Sequence, residues 1–302
     1  MDSVFYARLA ALLSTTNPTL RRTIEHAIQW ISTNKAQTAW GAVTATLLYF
    51  NLKRFPLVWH LRVFRNIWWP KRGHFQCKPG AVFRPVVTPS RVALLEMDYN
   101  LHKSNSTYFS DLDVARTDLL AALRAEAIHG GLYKEYKNGV MVLLAGTSCI
   151  FKKEIKPGAA FDMHSRILTW DKKWLYVVTH FVEKRKGAES YTYQPWKKPG
   201  EGKVAPESSV VFATAISKCV VKAGRLTVPP EKFLQAAGVL MANEDCEETS
   251  GAKKGVVDES GLADEEEWTW ARVEEERLRA LSMADGFANG LDAAHDEFYA
   301  LG

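Results

Sequence analysis

The order of the predicted elements constrains the fold of this chain more than any other feature of its sequence. The clearest helix covers residues 106–126, where apolar side chains recur at the three- and four-residue spacing of a helix with a buried face. A short apolar strand is predicted before it, at residues 91–97. At least four strands are predicted after it, at residues 140–151, 161–170, 174–182 and 209–222. This order argues against a βαβ repeat and predicts an α+β domain in which one antiparallel sheet covers a central helix.

Helical extensions are predicted on both sides of this domain, which is assigned to residues 76–230 with a polar insertion near 185–207. Residues 1–75 form a predicted N-terminal extension with helices at 23–32 and 36–50, and residues 68–89 serve as a linker rich in Pro, Gly and basic side chains. Residues 231–302 form an acidic tail. That tail is predicted to hold helices at 231–241 and 265–283, separated by disorder over 243–264.

Charge is distributed unevenly along the chain. Residues 1–103 hold 14 Lys/Arg against 4 Asp/Glu, whereas residues 244–276 hold 13 Asp/Glu against 3 Lys/Arg. A basic front suits an anionic lipid, a phosphate-bearing cofactor or a nucleic acid. The sequence has no zinc-finger spacing, RNA-binding aromatic signature or Lys/Arg block, so a nucleic-acid partner is not expected. The alternative is that the acidic tail is solvated or folds back over the basic surface.

Location is less constrained by the sequence. No secretory signal is apparent, and the four cysteines lie far apart, which favours a reducing compartment and a cytoplasmic protein. Residues 36–52 are uncharged and are followed by Lys53 and Arg54. Three alternatives stay open for this segment: packing on the main domain, lying on a membrane surface, or spanning the membrane.

Polar residues that can carry chemistry crowd the junction between the predicted strand and the long helix. They are Glu96, Asp98, His102 and Asn105. A carboxylate there can serve as a general base beside the unsatisfied N–H groups of a helix start, which can polarise an oxygen. The structural alternative is that Asp98 and Asn100 form a turn that caps the helix. A lone histidine such as His102 is also more often structural than catalytic.

The spacing Glu96-x-Asp98-x-x-x-His102-x-x-Asn105-x-x-Tyr108, followed by Asp113 and Arg116, resembles the hotdog-fold thioesterases of the 4-hydroxybenzoyl-CoA thioesterase type. Residues 111–116 look closest to the thioesterase superfamily member 6-like branch. The resemblance covers roughly residues 80–225. It implies a hotdog fold, a homodimer whose subunits build the site together, and hydrolysis of an acyl thioester without a cofactor or metal. The chain departs from the family at Glu96, where Asp is usual, and at Ser104, where Asn is frequent.

The resemblance also implies a role for each residue of the junction. Glu96 or Asp98 takes a proton from water or attacks directly, His102 donates to either carboxylate, and Asn105 positions the water or the thioester. Substrate binding is assigned to Ser106, Thr107, Tyr108 and Arg116. The expected substrate is an acyl-CoA or an acyl or polyketide chain on a carrier protein, with its phosphates drawn to the basic front.

Two other functions remain compatible with such a domain. A non-catalytic hotdog protein could bind acyl chains or act as a scaffold, and a hotdog dehydratase or hydratase would use an Asp/His pair on the central helix. Residues 106–126 contain no histidine, which disfavours the second. The absence of a Gly-x-Ser-x-Gly motif disfavours α/β-hydrolases, and the absence of phosphate-binding glycine motifs disfavours nucleotide enzymes.

Overall fold

The computed structural model describes residues 17–75, 80–137, 139–184, 210–241 and 269–300. These residues divide into two compact units, one ending at Leu52 and the other beginning at Lys53. The first unit contains helices α1 (Pro18–Thr33) and α2 (Lys35–Asn51), which confirms the two helices predicted there. Asn17 caps α1 by accepting a hydrogen bond from the Thr19 N–H at 3.0 Å. Within the described residues, no helix has both the length and the apolarity needed to cross a membrane.

The second unit is built on one antiparallel sheet. Its strands are β1 (Val86–Arg91), β2 (Met141–Phe151), β3 (Ala160–Trp170), β4 (Trp174–Glu183), β5 (Val211–Ala223) and β6 (Leu226–Val228). The strand order is β1-β3-β4-β5-β2, and β6 pairs with the end of β5. The strands that precede and follow the central helix in sequence therefore form the two edges of the main sheet.

The central helix is α4 (Asn105–Ala127), which packs against one face of this sheet. Leu119 and Leu123 contribute to a core with Ile167 and Leu175, and all four side chains are buried. A second cluster near the start of the helix contains Tyr108, Leu112 and Ala115 with Phe161, Met163 and Phe181. Burial of this much apolar surface between a helix and a sheet supplies most of the driving force for the fold. The predicted α+β architecture, a sheet wrapped around a long helix in hotdog topology, is confirmed.

A further helix, α3 (Val58–Trp68), lies beside α4. The Trp59 indole N–H donates to the Ser110 carbonyl at 3.3 Å, and the Asn66 side-chain amide donates to the Val114 carbonyl at 3.1 Å. These contacts advance in the same direction along both helices. The central helix is therefore contacted by the sheet and by α3, and residues that an isolated amphipathic helix would expose are buried in α4.

The prediction of a strand at residues 91–97 was wrong. The strand β1 ends at Arg91, and Leu94–Glu96 form a single 3₁₀ turn. β1 contains Pro89, which a strand at the edge of a sheet tolerates because one side of its backbone needs no partner. The predicted linker at residues 68–89 therefore includes most of this strand. Val92 and Ala93 lie beyond the strand but are buried, and the Val92 N–H still donates to the Ala159 carbonyl at 3.0 Å.

The C-terminal part of the chain covers both faces of the sheet. After α4, a π-helical turn (Ile128–Leu132) leads into the short helix α5 (Tyr133–Glu135), and α6 (Pro230–Ala236) packs beside them. Helix α7 (Trp270–Ala300) lies on the opposite face, where Ala280 and Ala284 contact a cluster of Leu168, Tyr176 and Val178. The predicted insertion at 185–207 and the predicted disorder at 243–264 lie outside the described residues.

Candidate active site

A tight turn brings the chain from the 3₁₀ segment to the start of α4. Met97 pairs with Lys103 as an isolated antiparallel bridge, and the Asp98 N–H donates to the His102 carbonyl at 3.0 Å. Leu101 closes the turn with a φ of 60°, a left-handed conformation that is uncommon for a residue other than glycine. Such conformations persist only where the surrounding contacts fix them, so this turn is held rigidly.

Asp98 sits at the base of that turn and is half-buried. Its Oδ1 accepts a hydrogen bond from the Asn100 N–H at 2.9 Å and a weak one from the His102 N–H at 3.5 Å. Its Oδ2 has no hydrogen bond with any residue in the described part of the chain. Asp98 and Asn100 thus form the predicted turn through one carboxylate oxygen, but they do not cap the helix, whose N-cap is Ser104.

Glu96 occupies a different environment, although it lies only two residues away. It is 0% exposed, and its Oε2 lies 2.8 Å from the Lys53 Nζ and 3.2 Å from the Lys103 Nζ. The same oxygen accepts a hydrogen bond from the Ala93 N–H at 3.1 Å. Among the described residues, Oε1 has no partner. Glu96 is therefore held inside the protein by two ammonium groups and shows no surface to solvent.

Asp111 completes this group, although the junction motif did not predict it as a site residue. Its carboxylate is buried and lies 2.9 Å from both lysine Nζ atoms, with Arg62 at 3.4 Å on the outer side. Burial on its own raises the pKa of Asp111, but the nearby ammonium groups of Lys53 and Lys103 outweigh burial and lower it. Glu96, Asp111, Lys53 and Lys103 are called the ion-pair cluster below. No local spacing could have shown it, because Lys53 and Asp111 are 58 residues apart.

The polar residues at the helix start are accessible. Ser104 is the N-cap of α4, and Asn105 and Ser106 are exposed in its first turn. Since the first N–H groups of a helix have no acceptor within it, the amides of Asn105 and Ser106 can donate to a bound oxygen. His102 is partly exposed, and its Nε2 lies 3.7 Å from a Glu154 carboxylate oxygen.

The other three predicted substrate-binding residues point inward. Thr107 is buried, accepts from the Lys103 Nζ at 3.1 Å and donates to the Ser104 carbonyl at 2.7 Å. The Tyr108 ring is buried, with the ring centroids of Phe151 and Phe181 each 5.0 Å away, and this burial raises its pKa. The structure therefore places Thr107 and Tyr108 beneath the exposed turn and not on it.

Arg116 lies further along the same helix, between α4 and the sheet. Its guanidinium donates to the Ser217 hydroxyl at 3.2 Å and to the Asp113 carboxylate. The Ser217 hydroxyl is in turn 3.1 Å from that of Thr147 on β2. Arg116 thereby connects the central helix to two strands at the β2 edge of the sheet. Asp98, His102, Asn105 and Ser106 are the predicted site residues that share the accessible turn and helix start.

Comparison with known proteins agrees with this architecture. A model of the thioesterase-like superfamily matches residues 92–237, which contain the turn and the central helix. The thioesterase poxG of Penicillium oxalicum is 36% identical over 278 residues, covering 86% of this chain and 86% of that protein. The thioesterase lcsJ of Purpureocillium lilacinum is 32% identical over 300 residues, covering 83% of this chain and 90% of that protein. Protein THEM6 of Danio rerio is 28% identical over 131 residues, covering 43% of this chain and 60% of that protein.

Identity above 30% over most of two relatives, together with the hotdog topology, confirms the resemblance that the junction motif indicated. The chain belongs to the thioesterase-like superfamily and is a hotdog-fold hydrolase of acyl thioesters.

Proposed function

We propose that Asp98 is the carboxylate that drives thioester hydrolysis, and that Glu96 supports the turn from inside the protein. The observation that carries this proposal is the contrast between the two acids. Asp98 is half-buried at the turn with one oxygen held and the other without a hydrogen bond among the described residues. Glu96 is 0% exposed and ion-paired to Lys53 and Lys103. A general base must reach the proton that it removes, and only Asp98 meets that requirement.

The reaction follows from this geometry. Asp98 takes a proton from water, and the water oxygen attacks the thioester carbonyl carbon. Negative charge then develops on the carbonyl oxygen, where the amides of Asn105 and Ser106 at the start of α4 stabilise it. When the C–S bond breaks, the proton held by Asp98 passes to the departing thiolate. The Asn105 side chain is placed to orient the water or the thioester.

Isosteric substitutions can distinguish the proposed roles of Asp98 and Glu96. In a thiol-release assay with acyl-CoA substrates, Asp98→Asn should lower kcat about a hundredfold or more while the thermal unfolding midpoint changes little. Glu96→Gln should instead lower that midpoint, since it leaves the buried Lys103 and the partly buried Lys53 with one carboxylate between them. An Asp98→Asn variant that retains wild-type kcat would overturn the assignment.

The proposed substrate carries its acyl group on an arm that contains phosphate, either CoA or a carrier protein. A basic loop supports this. The Ile155 carbonyl accepts from the Lys103 N–H at 3.0 Å, which fixes the loop beside the catalytic turn. Lys152, Lys153 and Lys156 are exposed on that loop. Their positive charge can hold the phosphates while the thioester reaches Asp98.

A pair of lysine substitutions tests this arrangement. The double variant Lys152→Ala/Lys153→Ala should raise KM for acyl-CoA by about tenfold and leave kcat nearly unchanged, and added salt should reduce the difference. The matched control is Lys172→Ala/Lys173→Ala, which removes two exposed lysines from the β3–β4 turn. Equal effects of the two double variants would show that only net charge matters.

A second copy of the chain is the proposed partner in the site. β2 is a main-sheet edge, and it carries no charged side chain and no proline over its whole length. Met141, Leu143, Leu144 and Ile150 are exposed along it. An unprotected apolar edge of this kind calls for another strand to pair with it. Pairing there would bring the partner's chain close to Arg116, Ser217 and Thr147.

The proposed location of the enzyme is a reducing compartment such as the cytoplasm. Cys149 and Cys219 are free thiols. Burial raises the pKa of each to about 11, so neither is a reactive thiolate at neutral pH. This is the behaviour of structural cysteines in a core, and Cys77 and Cys246 lie outside the described residues.

A further inference from the structure

The outer face of α3 is apolar and exposed, although its inner face is fixed to the central helix. Leu57, Leu61, Phe64 and Trp68 follow one another at spacings of four, three and four residues, so they form one stripe along the helix. Their exposed fractions are 69%, 62%, 42% and 62%, and Trp69 beside them is 72% exposed. The Phe64 and Trp68 rings stack on each other at 5.2 Å.

The helix that carries this stripe is firmly attached to the central helix. Trp59 and Asn66 on the inner face hold α3 to the backbone of α4, and Arg62 reaches Asp111 in the ion-pair cluster. Leu57 lies just before the first helical residue, as the N-cap, with a φ of 69°, which is uncommon for a leucine. The helix that follows is thus fixed to α4 on one face and presents apolar side chains on the other.

The charged residues in the segment around the stripe are all basic. Residues 54–72 contain five Arg/Lys and no Asp/Glu. Arg54, Arg65 and Arg72 are exposed, and none of them has a carboxylate partner within the part of the chain that the structure describes. Arg62 and Lys71 are engaged by Asp111 and Asp118.

We propose that this face of α3, Leu57 to Trp69 with its arginine rim, docks in the plane of an anionic lipid surface. Tryptophan and leucine enter the boundary between headgroups and acyl chains, and arginines pair with anionic headgroups. The positive charge of the arginine rim favours an anionic lipid surface as the partner of this face. A second copy bound through the same face by a twofold axis would set the arginine rim against itself, which like-charge repulsion opposes.

Flotation of the full-length protein with lipid vesicles tests the proposal. The wild type should float with vesicles of phosphatidylcholine and phosphatidylserine, and should bind vesicles of phosphatidylcholine alone about tenfold more weakly. The variant Leu61→Ser/Phe64→Ser/Trp68→Ser and the variant Arg54→Gln/Arg65→Gln/Arg72→Gln should each lose about tenfold in binding to the anionic vesicles. Thermal unfolding should confirm that both variants fold, because every substituted side chain is exposed.

The matched control is Leu226→Ser/Leu278→Ser/Met283→Ser, which removes three exposed apolar side chains elsewhere in the same unit. It should bind as the wild type does. Failure of the wild type to float would overturn the proposal in favour of an acidic protein partner or a covering segment of the same chain. Unchanged binding of the Leu61/Phe64/Trp68 variant would assign the vesicle contact to another part of the protein. Thiol release by all these variants should be unchanged in the absence of lipid, which separates this outcome from the assignment of Asp98.

Discussion

The Lys103 Nζ donates to the Asp111 Oδ2 at 2.9 Å, and both side chains are shut off from solvent. Lys103 also contacts Glu96 and Thr107, so one ammonium group connects the turn at residues 97–103 to the first turns of the central helix. A buried charge with this many partners holds the surrounding groups in place. Its net contribution to stability is small, whereas removing one partner is costly because the remaining charge is left buried and uncompensated.

Lys103→Met should therefore lower the free energy of unfolding by about 3–5 kcal/mol, because it removes one cation and leaves two buried carboxylates with Lys53. Urea denaturation followed by circular dichroism measures the change. Arg62→Met is the control: Arg62 is partly exposed and lies 3.4 Å from Asp111, so its loss should cost about 1 kcal/mol or less. Similar losses in both variants would show that the burial of Lys103 is unimportant.

Asp111 should make stability depend on pH in the acid range. Its folded-state pKa is below the ordinary value of 3.8 because the attraction of Lys53 and Lys103 outweighs burial. A depressed carboxyl pKa adds stability above the unfolded-state pKa, and that stability is lost as pH falls through the folded-state pKa. Asp111→Asn should thus be far less stable than the wild type at pH 6, and the difference should narrow below about pH 4. The surface variant Glu135→Gln should show a small difference from the wild type, and a constant gap for Asp111→Asn would contradict the prediction.

Most of the fold could be predicted because its signals are local. The central helix and β2 to β5 each have a periodic or continuous apolar pattern, and their predicted bounds lie within two residues of the observed ones. The strand before the helix could not be placed in this way. Pro89 normally argues against a strand, and only the position of β1 at the sheet edge makes it acceptable. Val92 and Ala93 resemble strand residues because both are apolar and buried, although the strand ends at Arg91.

The candidate site could likewise be predicted only where its residues lie close together in the sequence. The turn and helix start that carry Asp98, His102, Asn105 and Ser106 follow from a contiguous motif. The ion pairing of Glu96 does not, because it depends on Lys53, which reaches the site from a segment that precedes α3. A contact between residues so far apart in the chain produces no periodic pattern in the sequence. For the same reason the ion pairs of Asp111 with Lys53 and Lys103 could not be predicted.

The approach of the π-helical turn to α6 makes Gly130 irreplaceable. A Cβ at Gly130 would lie 2.0 Å from the Ala236 carbonyl oxygen, which belongs to backbone and cannot rotate away. Gly130→Ala should therefore lower the free energy of unfolding by about 2–3 kcal/mol, as measured by denaturant unfolding. Gly286→Ala is the control, because nothing lies within 4 Å of a Cβ there and the site is inside helix α7. It should be neutral or slightly stabilising, and equal losses at the two glycines would refute the steric argument.

The exposed edge of β2 should determine the oligomeric state. Leu143 and Ile150 lie on this strand, and a lysine at either position would place charge where a second strand has to approach. Leu143→Lys/Ile150→Lys should separate the proposed dimer into monomers in size-exclusion chromatography with light scattering, and should reduce thiol release. The control is Val87→Lys, an exposed position on β1 at the other edge of the sheet, which should leave the mass unchanged. A wild type that is monomeric at micromolar concentration, with full activity, would show that a single chain contains the whole site.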